Sequence, residues 1–248
     1  MDKEEIKKKV KVRYAGAIDG CGCGSSCCEN TDGLIENAKK IGYAPEEIKN
    51  IPPESFHGLG CGNPVAVAGL KEGEHVLDLG SGAGVDVFLA ANKVGEKGLV
   101  IGVDMTVEMV KKAAENAKKH GYKNVEFRLG EIEDLPVADN SIDVIISNCV
   151  INLSPDKLQT FKEAYRVLKT GGRMMVSDLV TEGPVSKEIK ENFELWTGCI
   201  AGALGRGDYI DKISEAGFKN IEIVGENTWE GGKIDVRVTS LKVKAVKP

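Results

Sequence analysis

The sequence predicts an α/β fold, a doubly wound and mostly parallel sheet with helices on both faces. Three observations predict it. Short apolar runs recur at 75–79, 99–104, 125–129, 142–148 and 173–179. Most are continuous rather than alternating, as in strands covered on both sides. Amphipathic helical periods separate them, and a strand–helix alternation builds parallel crossovers. Two further stretches, 221–224 and 236–246, read as a closing hairpin, which brings the expected sheet to seven strands.

At 248 residues, 42% hydrophobic and 29% charged, the chain can bury a sizeable core. A net charge of −5 and a pI near 5.5 argue against a non-specific nucleic-acid binder, whose phosphate contacts need a basic face. No apolar run approaches the ~20 residues of a membrane span, and Met1-Asp2-Lys3-Glu4-Glu5-Ile6 has no hydrophobic signal core. The expectation is a cytoplasmic protein with neither nucleic-acid nor membrane partners. Seven cysteines in that setting are expected to be mostly reduced, which disfavours a disulfide scaffold and favours metal or thiol chemistry.

Residues 3–13 are charged, with Ile6, Val10 and Val12 as sparse apolar positions, and read as a modest helix or frayed arm. Cys21, Cys23, Cys27 and Cys28 follow in a glycine/serine loop without bulky apolar side chains. Their spacing is not the paired C-x-x-C of structural zinc, so soft-ion capture and an unliganded, redox-active loop both stay open. Short helices are expected at 34–41 and 45–48, the second opened by Pro45. The glycine-rich segment 55–64 ends in Asn63 as N-cap and Pro64 at the first helical position. Cys61 within it is either a small core thiol or a ligand-facing one.

The most informative stretch is His75-Val76-Leu77-Asp78-Leu79-Gly80-Ser81-Gly82-Ala83-Gly84-Val85-Asp86. Val76, Leu77 and Leu79 read as a buried strand. Val85, Phe88, Leu89 and Val94 read as the inner face of the next helix, with a glycine turn between them. Gly84 follows Gly82 by two residues, whereas the dinucleotide fingerprint needs three. Asp78 ahead of the glycines would repel a pyrophosphate and welcome a cationic amino-acid tail. Both features favour S-adenosylmethionine (SAM), with its ammonium and sulfonium, over a nicotinamide dinucleotide.

The second strand ends in Asp104, 20 residues after Gly84, where a carboxylate accepts ribose hydroxyls. Thr106 offers the helix cap that is the other role open to Asp104. Val107, Val110, Ala114 and Ala117 mark a helix closed by Gly121. Beyond the third strand, the carboxylates of 130–136 are expected near an adenine amino group, with Ile132 packed on the ring. Cys149 is the first residue past the fourth strand. Open α/β sheets bind ligands at that edge, which makes it a candidate beside the methyl group. Ser154 as N-cap, with Pro155 and Asp156, opens a helix whose inner face is Leu158, Phe161, Tyr165 and Leu168, stopped by Gly171-Gly172. From 184 to 204 the chain reads as helical, with small residues around Cys199 that admit a ligand or another segment. Residues 207–216 form a last helix, ended by Gly217.

With these motifs in hand, the chain resembles class I SAM-dependent methyltransferases over roughly residues 65–180, and arsenite methyltransferases over most of its length. The specific signals are Ser55-Phe56-His57-Gly58-Leu59-Gly60-Cys61, Gly102-Val103-Asp104-Met105-Thr106, Gly130-Glu131-Ile132-Glu133, Ser147-Asn148-Cys149-Val150-Ile151-Asn152-Leu153 and Trp196-Thr197-Gly198-Cys199-Ile200-Ala201-Gly202-Ala203-Leu204. The resemblance implies a Rossmann-like sheet, SAM as cofactor, and arsenite or an arsenic–thiol conjugate as substrate. It implies that Cys61, Cys149 and Cys199 are the arsenic-binding thiols. It also implies that Asp78, Gly80, Ser81, Gly82, Gly84, Asp104, Met105, Ile132, Glu133 and Asn148 lie around SAM. The chain then divides into a cysteine-containing arm and cap (1–64), a SAM-binding core (65–180), and cap helices with the closing hairpin (181–248). The spacing of Cys21 to Cys28 departs from the N-terminal cysteines common in that family.

The chemistry agrees. Trivalent arsenic is soft and bonds strongly to thiolates. Three thiolates leave its lone pair at the apex of a pyramid, so the nucleophile needs no protein base. The remaining task is alignment at about 3–3.5 Å, in a dry site that favours loss of the sulfonium charge. Product release by thiol exchange suggests glutathione or thioredoxin as reductant. Two other readings compete. A small organic acceptor would need a general base, for which His57 is the histidine plausibly placed, although a loop role is equally open to it. A soft-metal or redox-sensing protein built on Cys21–Cys28 leaves the glycine turn unexplained.

Overall fold

In the computed structural model, which describes residues 2–18, 36, 38–58, 60–183, 185–228 and 236–248, the strands join in one seven-stranded sheet of order β3-β2-β1-β4-β5-β7-β6. They are β1 (His75–Leu79), β2 (Leu99–Asp104), β3 (Val125–Leu129), β4 (Ile142–Asn148), β5 (Leu168–Glu182), β6 (Lys219–Thr228) and β7 (Arg237–Val246). The first five pair in parallel, and β7 runs antiparallel between β5 and β6. This is the doubly wound sheet expected, closed by the expected hairpin.

Alternate residues explain the two layers. Val76, Val100, Val144 and Ile146 face one side, against Val87, Phe88, Ala91 and Val94 of α4 (Val85–Val94). Leu77, Leu79, Ile101, Val103 and Ile145 face the other. There they meet Phe161, Ala164 and Val167 of α6 (Lys157–Val167) and Tyr209 and Ile213 of α9 (Arg206–Glu215). Each such fully buried side chain contributes about 1.5–3 kcal/mol, so the core is set by these strands and not by the loops above them.

The helices between follow the expected order, with local corrections. α2 (Pro45–Lys49) and α3 (Pro64–Val67) each begin with proline, and the Asn63 side chain caps α3 by accepting the Ala66 N–H. Of the helix expected at 34–41, Glu36 and residues 38–40 are helical, while 34, 35 and 37 lie outside the described residues, as does the Cys21–Cys28 segment. On α5 (Val107–Lys119) the inward face is Met109, Ala113, Asn116 and Ala117. Of the expected face, Ala117 is buried, Val107 and Ala114 are exposed and Val110 is half-buried, because the stripe that meets the sheet lies one residue before the one the apolar spacing suggests. α6 starts at Lys157 with Asp156 as its cap. Ser154 instead ends a short 3₁₀ turn (Ile151–Leu153) and accepts the Asp156 N–H. β5 begins at Leu168, ahead of the Gly171-Gly172 pair that was expected to end the helix. The stretch 184–204 is not one helix. It holds α7 (Lys187–Glu191) and α8 (Phe193–Thr197), divided at Asn192, whose extended backbone breaks the run and whose side chain caps the second piece.

The N-terminal arm is a regular helix, α1 (Lys3–Gly16), laid across the carboxyl edge of the sheet. Ile6, Val10 and Tyr14, four residues apart, pack against Cys149, Leu153 and Cys199. Lys3, Lys7 and Lys11 form a second stripe and pair with Asp156, Glu131 and Glu133. Exposed ion pairs contribute about 0–1 kcal/mol each, so the apolar stripe holds the helix and the charged stripe sets its register.

Candidate active site

A cavity of about 280 Å³ opens at the carboxyl edge between β1 and β4, where the strand order reverses. This is the edge at which open α/β sheets take ligands, and the volume is near the roughly 300 Å³ lower end of small-molecule sites. Cys61, Cys149, Cys199, Asp78, Gly80, Ser81, Gly82, Asp104, Met105, Ile132, Glu133 and Asn148 all line it. Gly84 does not. It is the N-cap of α4 at φ 98°, and a Cβ there would meet Phe88 at 2.7 Å and Phe127 at 3.1 Å. Close packing of helix on sheet, not a ligand, excludes a side chain at Gly84.

The glycine turn is braced from beneath. Asp104 accepts the Gly82 N–H at 2.9 Å and the Thr106 N–H at 2.8 Å, while Thr106, the N-cap of α5, makes no side-chain cap bond. Each carboxylate oxygen keeps a second lone pair for a ribose hydroxyl. Gly80 sits at φ 66° with Val150 against the place a Cβ would occupy. Ser81 lines the cavity, but its Oγ is buried without a partner beneath the turn, where a Cβ on Gly102 would lie 2.6 Å from it. Asp78, Asp86 and Asp104 lie within one another's field. Burial pushes all three carboxyls up, Asp86 to about 6, and mutual repulsion adds to the rise at Asp78. Such an acidic floor favours a cationic ligand and rejects a phosphate. An open glycine cradle and clustered carboxylates are features that fit the amino-acid end of SAM.

At the wall where an adenine is expected, Ile132 is buried and lines the cavity. Glu133 is already engaged, accepting from Ser154 Oγ at 2.6 Å and lying 3.6 Å from Lys7 Nζ.

The thiols arrive from three separate segments. Cys61 and Cys149 form a disulfide across Cα atoms 5.9 Å apart. The expectation of reduced thiols therefore fails for this pair, because the two loops bring the Cα atoms within bonding range. Cys199 is a free, buried thiol whose Sγ donates to the Cys149 carbonyl at 2.9 Å. Cys149 (φ 59°) and Cys199 (φ 63°) both have left-handed backbone, which costs a residue with a side chain about 1–2 kcal/mol. Strain of that kind concentrates at functional sites. Burial pushes the Cys199 thiol far up, and the Asp178 charge adds to this; the Lys157 charge and a hydrogen bond from Tyr14 pull the other way.

Two buried charged groups that act on Cys199 escaped the sequence reading. Asp178 accepts from the Asn152 N–H and the Tyr209 hydroxyl, and burial pushes it up to about 7. Lys157 donates to the Ser154 and Asn152 carbonyls, and burial pushes it down to about 8. No local spacing marks either as a site residue. His57 lines the cavity with Nε2 buried and unpartnered, and burial lowers its basicity. Among the described residues, no group of three or more His, Cys, Asp or Glu could hold a metal ion, and no helix is long and apolar enough to cross a membrane.

Comparison with known proteins fits this geometry. Residues 70–229 match the methyltransferase domain family. The chain is 46% identical to the arsenite methyltransferase of Halobacterium salinarum over 90% of its own length and 59% of that relative's. It is 35% identical to the arsenite methyltransferase of Rattus norvegicus over 98% of this chain and 69% of the relative. The crystal structure of an arsenic (III) S-adenosylmethionine methyltransferase from Chlamydomonas reinhardtii superposes with a TM-score of 0.70. It is 35% identical, over 85% of this chain and 73% of that one. The chain thus spans about three-fifths of several of the curated relatives it matches. By its sheet order, its glycine turn and these matches, the chain belongs to the arsenite methyltransferases within the methyltransferase domain family.

Proposed function

We propose that the protein methylates trivalent arsenic, taken as arsenite or a thiol conjugate, with SAM as methyl donor. The observation that carries the reading is that Cys61, Cys149 and Cys199 line the same cavity as the Asp78–Asp104 glycine turn. Asp78 and the Gly80–Gly82 backbone take the amino-acid end of the cofactor, Asp104 the ribose, and Ile132 one face of the adenine. SAM supplies an electrophilic methyl group on a positively charged sulfur.

The rest of the work belongs to the chain's own groups. An external thiol pair reduces the Cys61–Cys149 disulfide and is itself oxidised to a disulfide, leaving two thiols beside Cys199. Each thiol that bonds arsenite releases its proton to a departing hydroxide, which leaves as water. Three sulfurs from separate segments fix the tilt of the arsenic lone pair, the nucleophile, whereas two would let it swing. Leu153, Leu179 and Met105 keep the surroundings weakly polar, so little solvent must reorganise as the positive charge passes from the departing sulfur to a four-coordinate arsenic. Two of the cysteine sulfurs then leave arsenic joined as a disulfide, which returns an electron pair to the metalloid, and the cation left behind takes a thiolate. Glutathione or thioredoxin supplies it, frees the product by exchange and reduces the cysteine disulfide while becoming a disulfide itself.

Incubating purified protein with SAM, arsenite and thiol, then separating arsenic species, tests the reading; absence of methylated arsenic rejects it. Cys199→Ser is expected to lower turnover by roughly 10²-fold or more while SAM affinity stays within about twofold. Retained turnover would remove Cys199 from the site.

One observation favours a second reading. His57 lines the cavity with its buried Nε2 unpartnered, and a small organic acceptor would need such a base. His57→Phe decides between them: arsenic methylation is expected to persist, whereas a base-dependent reaction would be lost.

A further inference from the structure

Asn148, expected among the groups around SAM, has its carboxamide occupied by the protein itself. Oδ1 accepts the backbone N–H of Cys61 at 3.0 Å and of Gly62 at 3.2 Å. Nδ2 donates toward the Gly62 carbonyl at 2.6 Å, the Tyr43 hydroxyl at 3.0 Å and Asp86 Oδ2 at 3.1 Å. Tyr43 in turn donates to Asp86 Oδ1 at 2.9 Å. Nδ2 has two hydrogens for these three acceptors, so one is shared, and Asp86 accepts from both Tyr43 and Asn148 as a carboxylate. The next residue in the chain is Cys149. One side chain therefore grips the backbone of the first site cysteine while its own backbone carries the second.

We propose that Tyr43 and Asp86 are positioning residues which act through Asn148 to hold the Cys61 loop against Cys149. This rests on the reading of those cysteines as arsenic ligands. Residues 58–62 are rich in glycine, and ordering each such residue costs about 1–2 kcal/mol, so the loop needs an external restraint. Gly60, at φ 111°, comes so close that a Cβ would lie 2.9 Å from Asn148 Nδ2. The only other hydrogen bond recorded to the Cys61 backbone among the described residues is from Ser240 Oγ to its carbonyl, at 3.0 Å. Asp86 sits in the first turn of α4 and Tyr43 just before α2, so the restraint is anchored in helices packed on the sheet.

The experiment measures the effective concentration of Cys61 for Cys149. The full chain is equilibrated in glutathione buffers of graded ratio, alkylated, and the Cys61–Cys149 pair quantified by peptide mass spectrometry. Tyr43→Phe keeps the ring and is expected to lower that effective concentration about tenfold, the worth of one net hydrogen bond. Asn148→Ala is expected to lower it further. Tyr43→Phe combined with Asp86→Asn should cost no more than the larger single change, because both act through one amide. SAM affinity by calorimetry should stay within about twofold in Tyr43→Phe. An unchanged effective concentration overturns the proposal even if the melting temperature falls, since that pattern marks a purely structural role. A fall in SAM affinity with the thiol pair unaffected also overturns it, and returns Asn148 to the cofactor. Wild-type protein that fails to methylate arsenic while the variants lower the effective concentration sinks the functional reading alone.

Discussion

The two walls of the cavity are built by opposite means. On the cofactor side, β1, a glycine turn and α4 are contiguous in sequence, and backbone conformation does most of the shaping. On the thiol side, Cys61, Cys149 and Cys199 come from segments 88 and 50 residues apart, held by an asparagine amide, a thiol-to-carbonyl bond and buried charges. The first wall is a local motif whose geometry any one residue can spoil. The second is an assembly of distant segments, with two cysteines in left-handed backbone and a thiol desolvated by burial.

The largest expected effect tests the local wall. Gly80→Ala combines a left-handed φ of 66° with a Cβ that would lie 2.6 Å from Val150 Cγ2. It is expected to cost about 2–4 kcal/mol in urea unfolding and to lower SAM binding beyond detection. Gly171→Ala is the control, with φ 78° and open space around the new methyl, and should cost about 1 kcal/mol. Equal losses at the two sites would show that the turn is strained but not crowded. Val150→Ala in the Gly80→Ala background should recover the steric part only.

That same contrast decides what was legible beforehand. The boundaries of β1, β2 and β4 could be read because fully buried parallel strands are unbroken apolar runs ending in Leu79, Asp104 and Asn148. Asp104 could be placed because its distance from the glycine turn is set by one helix and one strand. The face of α5 was misread by one residue because valines mark both surface and core, and only contact with the sheet selects Met109 and Ala113. The break at Asn192 was invisible because Phe193, Leu195 and Trp196 continue an apolar spacing across it. Cys149 could be singled out by its place at the end of β4, and only the ligand role of the cysteines came through resemblance, while the partners that hold them carry no local signal. Tyr43 and Asp86 are 105 and 62 residues from Asn148, and Lys157 reaches the Cys199 region through carbonyl bonds that spacing does not encode.

A middle-sized effect tests the assembled wall. Burial pushes Asp178 from the ordinary 3.8 up to about 7 in the folded protein. Between those values the unfolded chain binds fewer protons than the native one, so stability falls as pH rises from about 4 to about 7. Asp178→Asn keeps the shape and removes that titration. Its unfolding free energy, measured by urea titration across this range, should lose most of that fall, and a slope as steep as wild type would show that Asp178 is not charged at a cost. Asp104 is held by two backbone N–H groups that oppose its own burial, so Asp104→Asn should change the slope less.

The smallest effect concerns α1, which touches both walls. Lys7 is 15% exposed, beside Glu131 and Glu133, whereas Lys3 is 62% exposed beside Asp156. The Lys7 ammonium is the main cause holding the Glu131 carboxyl below its usual range. Lys7→Met should therefore cost roughly 1 kcal/mol, and Lys3→Met less than about 0.5, because an exposed pair gains little over water. Salt at about 0.5 M should shrink the Lys3 effect toward nothing and leave more of the Lys7 effect, since screening reaches exposed charges first. Ile6→Ala, by contrast, removes one of the two buried anchors and should cost about 2–4 kcal/mol whatever the salt. If Lys7→Met matched Ile6→Ala, charge and not apolar burial would be what holds the helix over the cavity.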